Sequence, residues 1–417
     1  MIVDAAAGQS AVGSGDPIAA EPGRATRAVV DLDAYAGNVR AILASLTPGT
    51  RLMAAVKANG YGHGAAMIAR TAVGAGASQL AVATVEEGVQ LRAAGLAQPI
   101  LVLGTIDPTE VDHAVRHDLS LTVADRVTLD LIADAANDLS PVGSAAVHVK
   151  VDTGMRRYGA RPDLAVTLAE LVDASPLLRL EGLSTHFAAS DDPDESFTAE
   201  QAARFDRCVA EVRARGIGVP LLHAANSAAA LRWRRYDYDM VRIGIASYGL
   251  APSADVRLLP TMRPAMTLRS RVARVMELAP GDTVSYGRTY QAARPERVAV
   301  VPIGYADGYP RALSGLGRMS VRGRAAEIRG RICMDQTVVA VGDNDDVAIG
   351  DEVVVVGDGS DAAPTLTELA DLTGTLNYEL ASRVAVRVPR MYVRDGRVVA
   401  VEDTFGLREV ADVGKAG

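Results

Sequence analysis

The sequence predicts an α/β protein in which an N-terminal (β/α)8 barrel of the TIM type is followed by a mostly β C-terminal domain. Three observations carry that expectation. Between Thr26 and Leu250, short apolar runs rich in β-branched residues alternate with longer segments of helical period, as in a parallel sheet covered by helices. Eight such runs follow one another over roughly 200 residues, the count and span of a closed barrel, with a doubly wound open sheet as the alternative. Beyond about Pro264 the apolar period falls to two, and 417 residues suit one large barrel with an appendage.

Residues 1–25 are rich in Ala, Gly, Ser and Pro, and no basic stretch precedes an apolar run, so they read as a loose tail rather than a signal peptide. The barrel is expected over 26–260. It opens with a lead-in strand at Ala28–Asp31 and a helix from about Leu32. The eight runs then begin at Leu52 (LMAAVKA), Leu80 (LAVAT), Ile100 (ILVLG), Leu119 (LSLTVA), Ala146 (AVHVKVD), Leu180 (LEGLSTHF), Leu221 (LLHAAN) and Met240 (MVRIGIASYG). The β domain is expected over 261–405, with strands in RSRVARVMEL, RVAVVPIGY, RMSVRGRAAEIRG and DEVVVVGD separated by Gly, Asp and Asn. A helical insertion at Thr365–Thr373 and a closing strand near Tyr392–Val399 complete it, and 406–417 reads as a frayed tail.

Composition narrows the function. Hydrophobic residues at 49% and charged residues at 23% are those of a soluble globular chain. Forty-three basic against 51 acidic residues give a net charge of -8 with no basic block, which argues against nucleic acid as a partner. Every apolar stretch is broken by charges or glycines well before membrane-spanning length, so no membrane is expected. Cys208 and Cys333 are far apart and lack CxxC spacing, which fits a reducing cytoplasm.

Catalytic groups in such barrels sit at the C-terminal ends of strands. The first run ends in Lys57, the fifth in Lys150, the sixth in His186 and the seventh in Asn226-Ser227; the eighth carries Arg242 with Gly244 and Ile245. A lysine pointing into the barrel would lose hydration, so its pKa would fall and its amine become a better nucleophile; at a solvated strand end it would do neither. Ser227 can cap a helix, or offer a hydroxyl to a phosphate at the last two loops, where barrels commonly bind one. Taken together, Lys57 and these donors suggest a carbonyl cofactor that carries a phosphate, pyridoxal phosphate.

AVKANGYGHG (55–64) resembles the pyridoxal-phosphate attachment signature of bacterial alanine racemases, and HVKVDTGM, STHFA, NSAA, VRIGIASYG, VSYGRTY, VPIGYADGYPR, GRICMDQ and NYELASRV continue the resemblance in order from about residue 26 to 400. The resemblance implies the same two-domain fold and a role for each matching residue. Lys57 is implied as the cofactor-bearing lysine and first catalytic base, Tyr286 as the base on the opposite face. Tyr61, Ser227, Gly244, Ile245 and Tyr378 would hold the phosphate. Arg242 would face the pyridine nitrogen, with His186 beside it and linked to Tyr286. Arg157 would contact the phenolic oxygen and the substrate carboxylate, oriented by Lys150, a position of carbamylation. Met334 would contact the substrate carboxylate and Asp335 would lie next to the tyrosine, while Tyr305 and Tyr378 would narrow the entrance. The run DTGMRRYG departs from the family pattern at Arg156 and Tyr158, and Arg157 is the better match by position. The implied activity is interconversion of L- and D-alanine by two bases, supplying D-alanine for peptidoglycan from a cytoplasmic homodimer with shared sites. The alternatives are a racemase of other or more amino acids and, further off, a related amino-acid decarboxylase. Against the decarboxylase, such enzymes place a carboxylate at the pyridine nitrogen, where this chain offers Arg242.

No metal site is expected. His63 in GYGHG has no partner at ligand spacing, and His113 and His117 lack the glutamate of a HExxH helix. The run Asp343 to Asp346 lacks the offsets of a calcium loop and reads as a hairpin turn; Gly357 to Ser360 follows a strand without opening a phosphate-binding helix and reads as another turn.

Overall fold

The computed structural model describes residues 23–139, 142–342 and 346–410. The chain enters on β1 (Arg27–Asp31), and the Asp31 carboxylate then caps the helix Leu32–Ser45 by accepting the Ala34 amide at 2.8 Å. Eight parallel strands follow: β2 (Arg51–Ala55), β3 (Gln79–Val82), β4 (Ile100–Val102), β5 (Ser120–Val123), β6 (Ala145–Lys150), β7 (Leu178–Ser184), β8 (Leu222–His223) and β9 (Met240–Ile243). Their order is β8-β7-β6-β5-β4-β3-β2-β9, so the last strand returns beside the first. Between β8 and β9 the amides of Asp239 and Arg242 donate to the carbonyls of Leu222 (3.1 Å) and Ala225 (2.9 Å), which closes the barrel. Each of the eight expected runs holds one of these strands. They are nearly continuous in apolar residues because helices cover one face and barrel-filling side chains the other; Met53, Leu80, Val147, Leu183 and Val241 are fully buried.

The second domain is built from β10 (Met266–Arg271), β11 (Arg274–Leu278), β12 (Thr283–Val284), β13 (Tyr290–Gln291), β14 (Glu296–Val301), β15 (Arg318–Val321), β16 (Arg324–Glu327), β17 (Thr337–Ala340), β18 (Glu352–Val356), β19 (Arg390–Arg394), β20 (Arg397–Asp403) and β21 (Gly406–Glu409). The main sheet runs β16-β15-β18-β10-β1-β19-β20-β21, a smaller one β11-β14-β17, and β12 pairs with β13. The lead-in strand, reckoned with the barrel from sequence, is thus an inner strand of the second sheet: Val29 pairs with Thr267 on one side and Met391 on the other. The run RSRVARVMEL, expected as one strand, divides between two sheets. The reason is local, since the Val272 amide bonds Asp351 O and the next amide, Ala273, bonds Val300 O.

Three further differences sit near the C-terminus. The expected closing strand is the hairpin β19–β20. The tail expected to fray from 406 first adds β21, paired along β20 from Gly406 to Glu409. The helical insertion is Leu366–Thr373, opened by a capping box of Thr365 and Glu368, and a second helix, Asn377–Ser382, follows it. Gly357 to Ser360 is a turn in which Asp358 accepts the Ser360 amide at 3.0 Å. Residues 1–22 and 411–417, and 343–345 of the acidic turn, lie outside the described residues.

Candidate active site

After β2 the backbone makes a left-handed turn: Ala58, Asn59 and Gly60 sit at φ/ψ of 53/51, 51/50 and 60/45, and Tyr61 at φ 51. Left-handed backbone costs L-residues about 1–2 kcal/mol each, so the surroundings must hold it. They do so from several sides. The Ala58 amide donates to Glu87 Oε1 at 2.6 Å, Asn59 Oδ1 accepts the Ala65 amide at 2.8 Å, and Arg390 Nε from the second domain donates to Gly62 O at 3.2 Å. His63 is buried against Tyr248, with Nδ1 2.9 Å from Tyr61 O, and burial pushes its pKa down to about 4, so it is a packed neutral group. The turn fixes Lys57 and Tyr61 on the same cavity wall.

That cavity, about 910 Å³, lies at the C-terminal ends of the barrel strands. Lys57 follows β2, Lys150 ends β6, His186 follows β7, Ser227 follows β8, and Arg242, Gly244 and Ile245 belong to β9 and the turn after it. Arg157 enters from the loop beyond β6 and Tyr378 from the helix Asn377–Ser382. Ten of the sequence-predicted residues are therefore brought together.

Arg242 is buried at the centre. Its Nη2 donates to Thr185 O (2.7 Å), Ala224 O (2.9 Å) and His186 Nδ1 (3.0 Å), and its Nη1 to His223 O (2.9 Å) and His223 Nδ1 (2.8 Å). A guanidinium can only donate, so both Nδ1 atoms accept and both histidines carry their proton on Nε2. His223 Nε2 then donates to His148 Nδ1 at 2.8 Å, and His148 Nε2 faces Glu181 Oε2 at 3.2 Å, which also takes the Ser120 hydroxyl at 2.6 Å. Gly182 makes room for this chain, since a Cβ there would stand 2.7 Å from His148 Nδ1.

The site is strongly cationic. Burial, then Arg157, lowers the Lys57 pKa; burial, then Arg242, Arg157 and Lys57, brings Lys150 down to about 8. Burial and Arg242 hold His186 and His223 well below the usual imidazole range, in keeping with the neutral tautomers assigned above. Burial and Arg157 bring Arg242 itself to about 10. Burial alone would raise Glu181, yet the hydrogen bonds from His148 and Ser120 bring it to about 2.

Geometry bears on two alternatives left open by the sequence. Asn226 caps the helix Ser227–Arg232, and the Ser227 hydroxyl instead accepts the amides of Gly244 (3.1 Å) and Ala246 (3.4 Å) at the cavity wall. Arg157 lines the cavity, whereas the mostly exposed Arg156 pairs with Asp152 at 3.8 Å. The second departure, Tyr158, donates to Thr122 O at 2.9 Å and lies under the Lys150 ammonium, 5.4 Å from ring centre to Nζ. The lining suits an anionic phosphate, since it sets the hydroxyls of Tyr61, Ser227 and Tyr378 in a cavity that also holds cationic side chains, and glycine at 244 lets Tyr61 Oη come close to the end of β9, where a Cβ would stand 2.4 Å from it.

Four predicted residues are not in this cavity. Tyr286, Tyr305 and Met334 are exposed by 72%, 41% and 52%. With Asp335 they form a second cluster on the β domain. Tyr286 occupies the turn between β12 and β13, and Ser285 Oγ donates to Arg331 O at 2.6 Å. Tyr305 N donates to Cys333 O (3.1 Å), and Ala306 N to Met334 O (3.0 Å). Asp335 accepts from Arg387 at 2.6 Å. Within one chain, Tyr286 is linked to neither His186 nor Lys57. Sequence reasoning also passed over His148, Glu181 and His223; the available signal was a polar residue inside an otherwise apolar barrel run.

Comparison with known proteins agrees with this fold. Residues 30–252 match the profile "Alanine racemase, N-terminal domain" and 265–392 the profile "Alanine racemase, C-terminal domain". The alanine racemase of Halothermothrix orenii is 41% identical over 369 residues, 88% of this chain and 97% of that protein. Alanine racemase 2 of Bacillus subtilis is 41% identical over 379 residues, covering 89% and 95%. Among solved structures, alanine racemase from Bacillus anthracis with bound L-Ala-P superposes with a TM-score of 0.87 at 36% identity, covering 93% of this chain and 99% of that one.

Proposed function

Since the chain belongs to the alanine racemase family, and is thereby an isomerase of L- and D-alanine, we propose that it works with pyridoxal 5'-phosphate, with Lys57 and Tyr286 as opposed bases in a site completed by a second copy. The observation that carries the reading is the convergence of Lys57, Arg157, Ser227 and Arg242 on one cationic cavity at the strand ends.

Tyr61, Ser227, Tyr378 and the backbone of Gly244 and Ile245 would hold the phosphate, and Arg242 would face the ring nitrogen. When bound, the cofactor supplies a carbonyl for the amine and a ring that draws electrons from the substrate α-carbon. Burial and Arg157 lower the pKa of Lys57, which raises its free-amine fraction, as both a covalent anchor and a base require. Arg157 would take the substrate carboxylate on this side and Met334 of the partner subunit on the other. Lys150, which lines the cavity with Arg157, would orient it as a carbamate, since an ammonium there would repel the guanidinium. Lys57 Nζ then exchanges a proton with the α-carbon on one face and Tyr286 of the partner subunit on the opposite face. His186, its Nδ1 occupied by Arg242, keeps its Nε2–H as a donor that would stabilise that tyrosine as phenolate. The exposure of Tyr286 and Met334 on one chain supports a homodimer with shared sites. Tyr305 and Tyr378 would frame the entrance.

We place the reaction in the cytoplasm, feeding D-alanine to peptidoglycan; no helix among the described residues is long and apolar enough to cross a membrane. The test is to incubate the purified holoenzyme with a panel of L-amino acids and measure the D-isomers. Alanine should turn over at least about tenfold faster than larger substrates, a difference of about 1.4 kcal/mol in the transition state. Faster turnover of a larger amino acid would favour a broad-range racemase. Borohydride reduction should fix the cofactor on Lys57, and recovery on another lysine would refute the assignment.

A further inference from the structure

We propose that Arg24, in the segment ahead of β1, is a positioning residue for the Tyr305, Met334 and Asp335 cluster, acting through buried Asp307 and Arg387; this rests on the assignment of that cluster to the partner's site. The Asp307 side chain is fully buried. Its Oδ1 accepts Arg24 Nη1 (2.6 Å) and Arg387 Nε (2.7 Å), and its Oδ2 accepts Arg24 Nη2 (2.9 Å) and the Gly304 amide (3.0 Å). Arg387 turns a second nitrogen, Nη2, to Asp335 Oδ1 at 2.6 Å. The charges thus alternate along Arg24, Asp307, Arg387 and Asp335.

Asp307 lies in the same short turn as Tyr305. That turn rests directly on the Met334 backbone, because a Cβ on Gly304 would stand 2.2 Å from Cys333 O and 2.4 Å from Met334 O. A shift of Asp307 therefore moves both Tyr305 and Met334. Without Arg24, a buried carboxylate would have one guanidinium in place of two, and the geometry that satisfies it is a two-nitrogen grip by Arg387. That grip would release Asp335. Thr26 would still anchor the strand, since its hydroxyl lies 2.8 Å from Ser270 Oγ and 2.7 Å from Pro302 O.

The experiment uses full-length holoenzyme. Arg24→Ala should raise the KM for L-alanine about fivefold or more while kcat stays within about twofold, and Arg24→Lys should recover part of the loss. Hydrogen exchange should speed up in peptides covering 303–309 and 332–336, with 51–64 unchanged. Loss of stability without a change in KM or in those peptides would overturn the proposal and leave Arg24 a structural ion-pair partner. Arg24→Gln, which can keep one hydrogen bond to Asp307, serves if the alanine variant does not fold. If Tyr286→Phe and Met334→Ala change the kinetics but Arg24 variants do not, the proposal alone fails; if neither of those variants has an effect, the assignment of the cluster fails with it.

Discussion

At the scale of single residues, Arg242 shows how one side chain can order a site. Its hydrogen bonds reach three carbonyl oxygens and two imidazole nitrogens, all acceptors. A carboxylate there would face only lone pairs. Arg242→Glu should therefore cost about 3–5 kcal/mol of folding stability, read by chemical denaturation, because it breaks a buried charged network; a variant as stable as the parent would contradict the donor-only account. Tyr286 calls for a different test. If it serves one face and Lys57 the other, Tyr286→Phe should slow deuterium wash-in from one alanine enantiomer by about 10²–10⁴-fold and leave the other far less affected. Equal impairment would indicate one base reaching both faces. The places of Lys57, Ser227 and Arg242 were legible in the sequence because their types at strand ends restrict the chemistry, whereas Arg157 came only from the resemblance of its motif. Glu181 and the histidines behind Arg242 were not, since their meaning lies in contacts between neighbouring barrel strands that one strand's sequence does not reveal.

At the scale of elements, the turn from Lys57 to Gly64 joins the two domains. A Cβ on Gly62 would stand 2.0 Å from Ala381 O, and one on Gly64 1.7 Å from Tyr392 Oη, whose hydroxyl pairs with Glu402. Gly62→Ala should destabilise the protein by about 2 kcal/mol or more, from backbone strain at φ 80 and a clash with main-chain atoms that cannot swing aside. A melting temperature within a degree or so of the parent would contradict that packing. The eight barrel strands could be found because each falls in a largely apolar run between helical segments. The placement of β1 could not be read that way: RAVVD looks the same beside a barrel as between β10 and β19, and only pairing partners decide. For the same reason the division of RSRVARVMEL is invisible in its alternating pattern, because two successive amides choose acceptors in different sheets.

At the scale of the whole molecule, one chain gathers Lys57, Arg157, Ser227 and Arg242 in the barrel cavity and exposes Tyr286 on the β domain. The resemblance of sequence motifs assigned both groups, but their separation appears only in three dimensions. Two copies arranged so that each β domain meets the other's barrel would complete two sites. The most direct measurement mixes Lys57→Ala and Tyr286→Phe chains, each inactive alone, under conditions that exchange subunits, and follows D-alanine formation from L-alanine. Each mixed dimer would contain one site with both bases, so random pairing of equal amounts should restore about a quarter of the parent activity. Verified mixed dimers that remain inactive would contradict a site shared between chains.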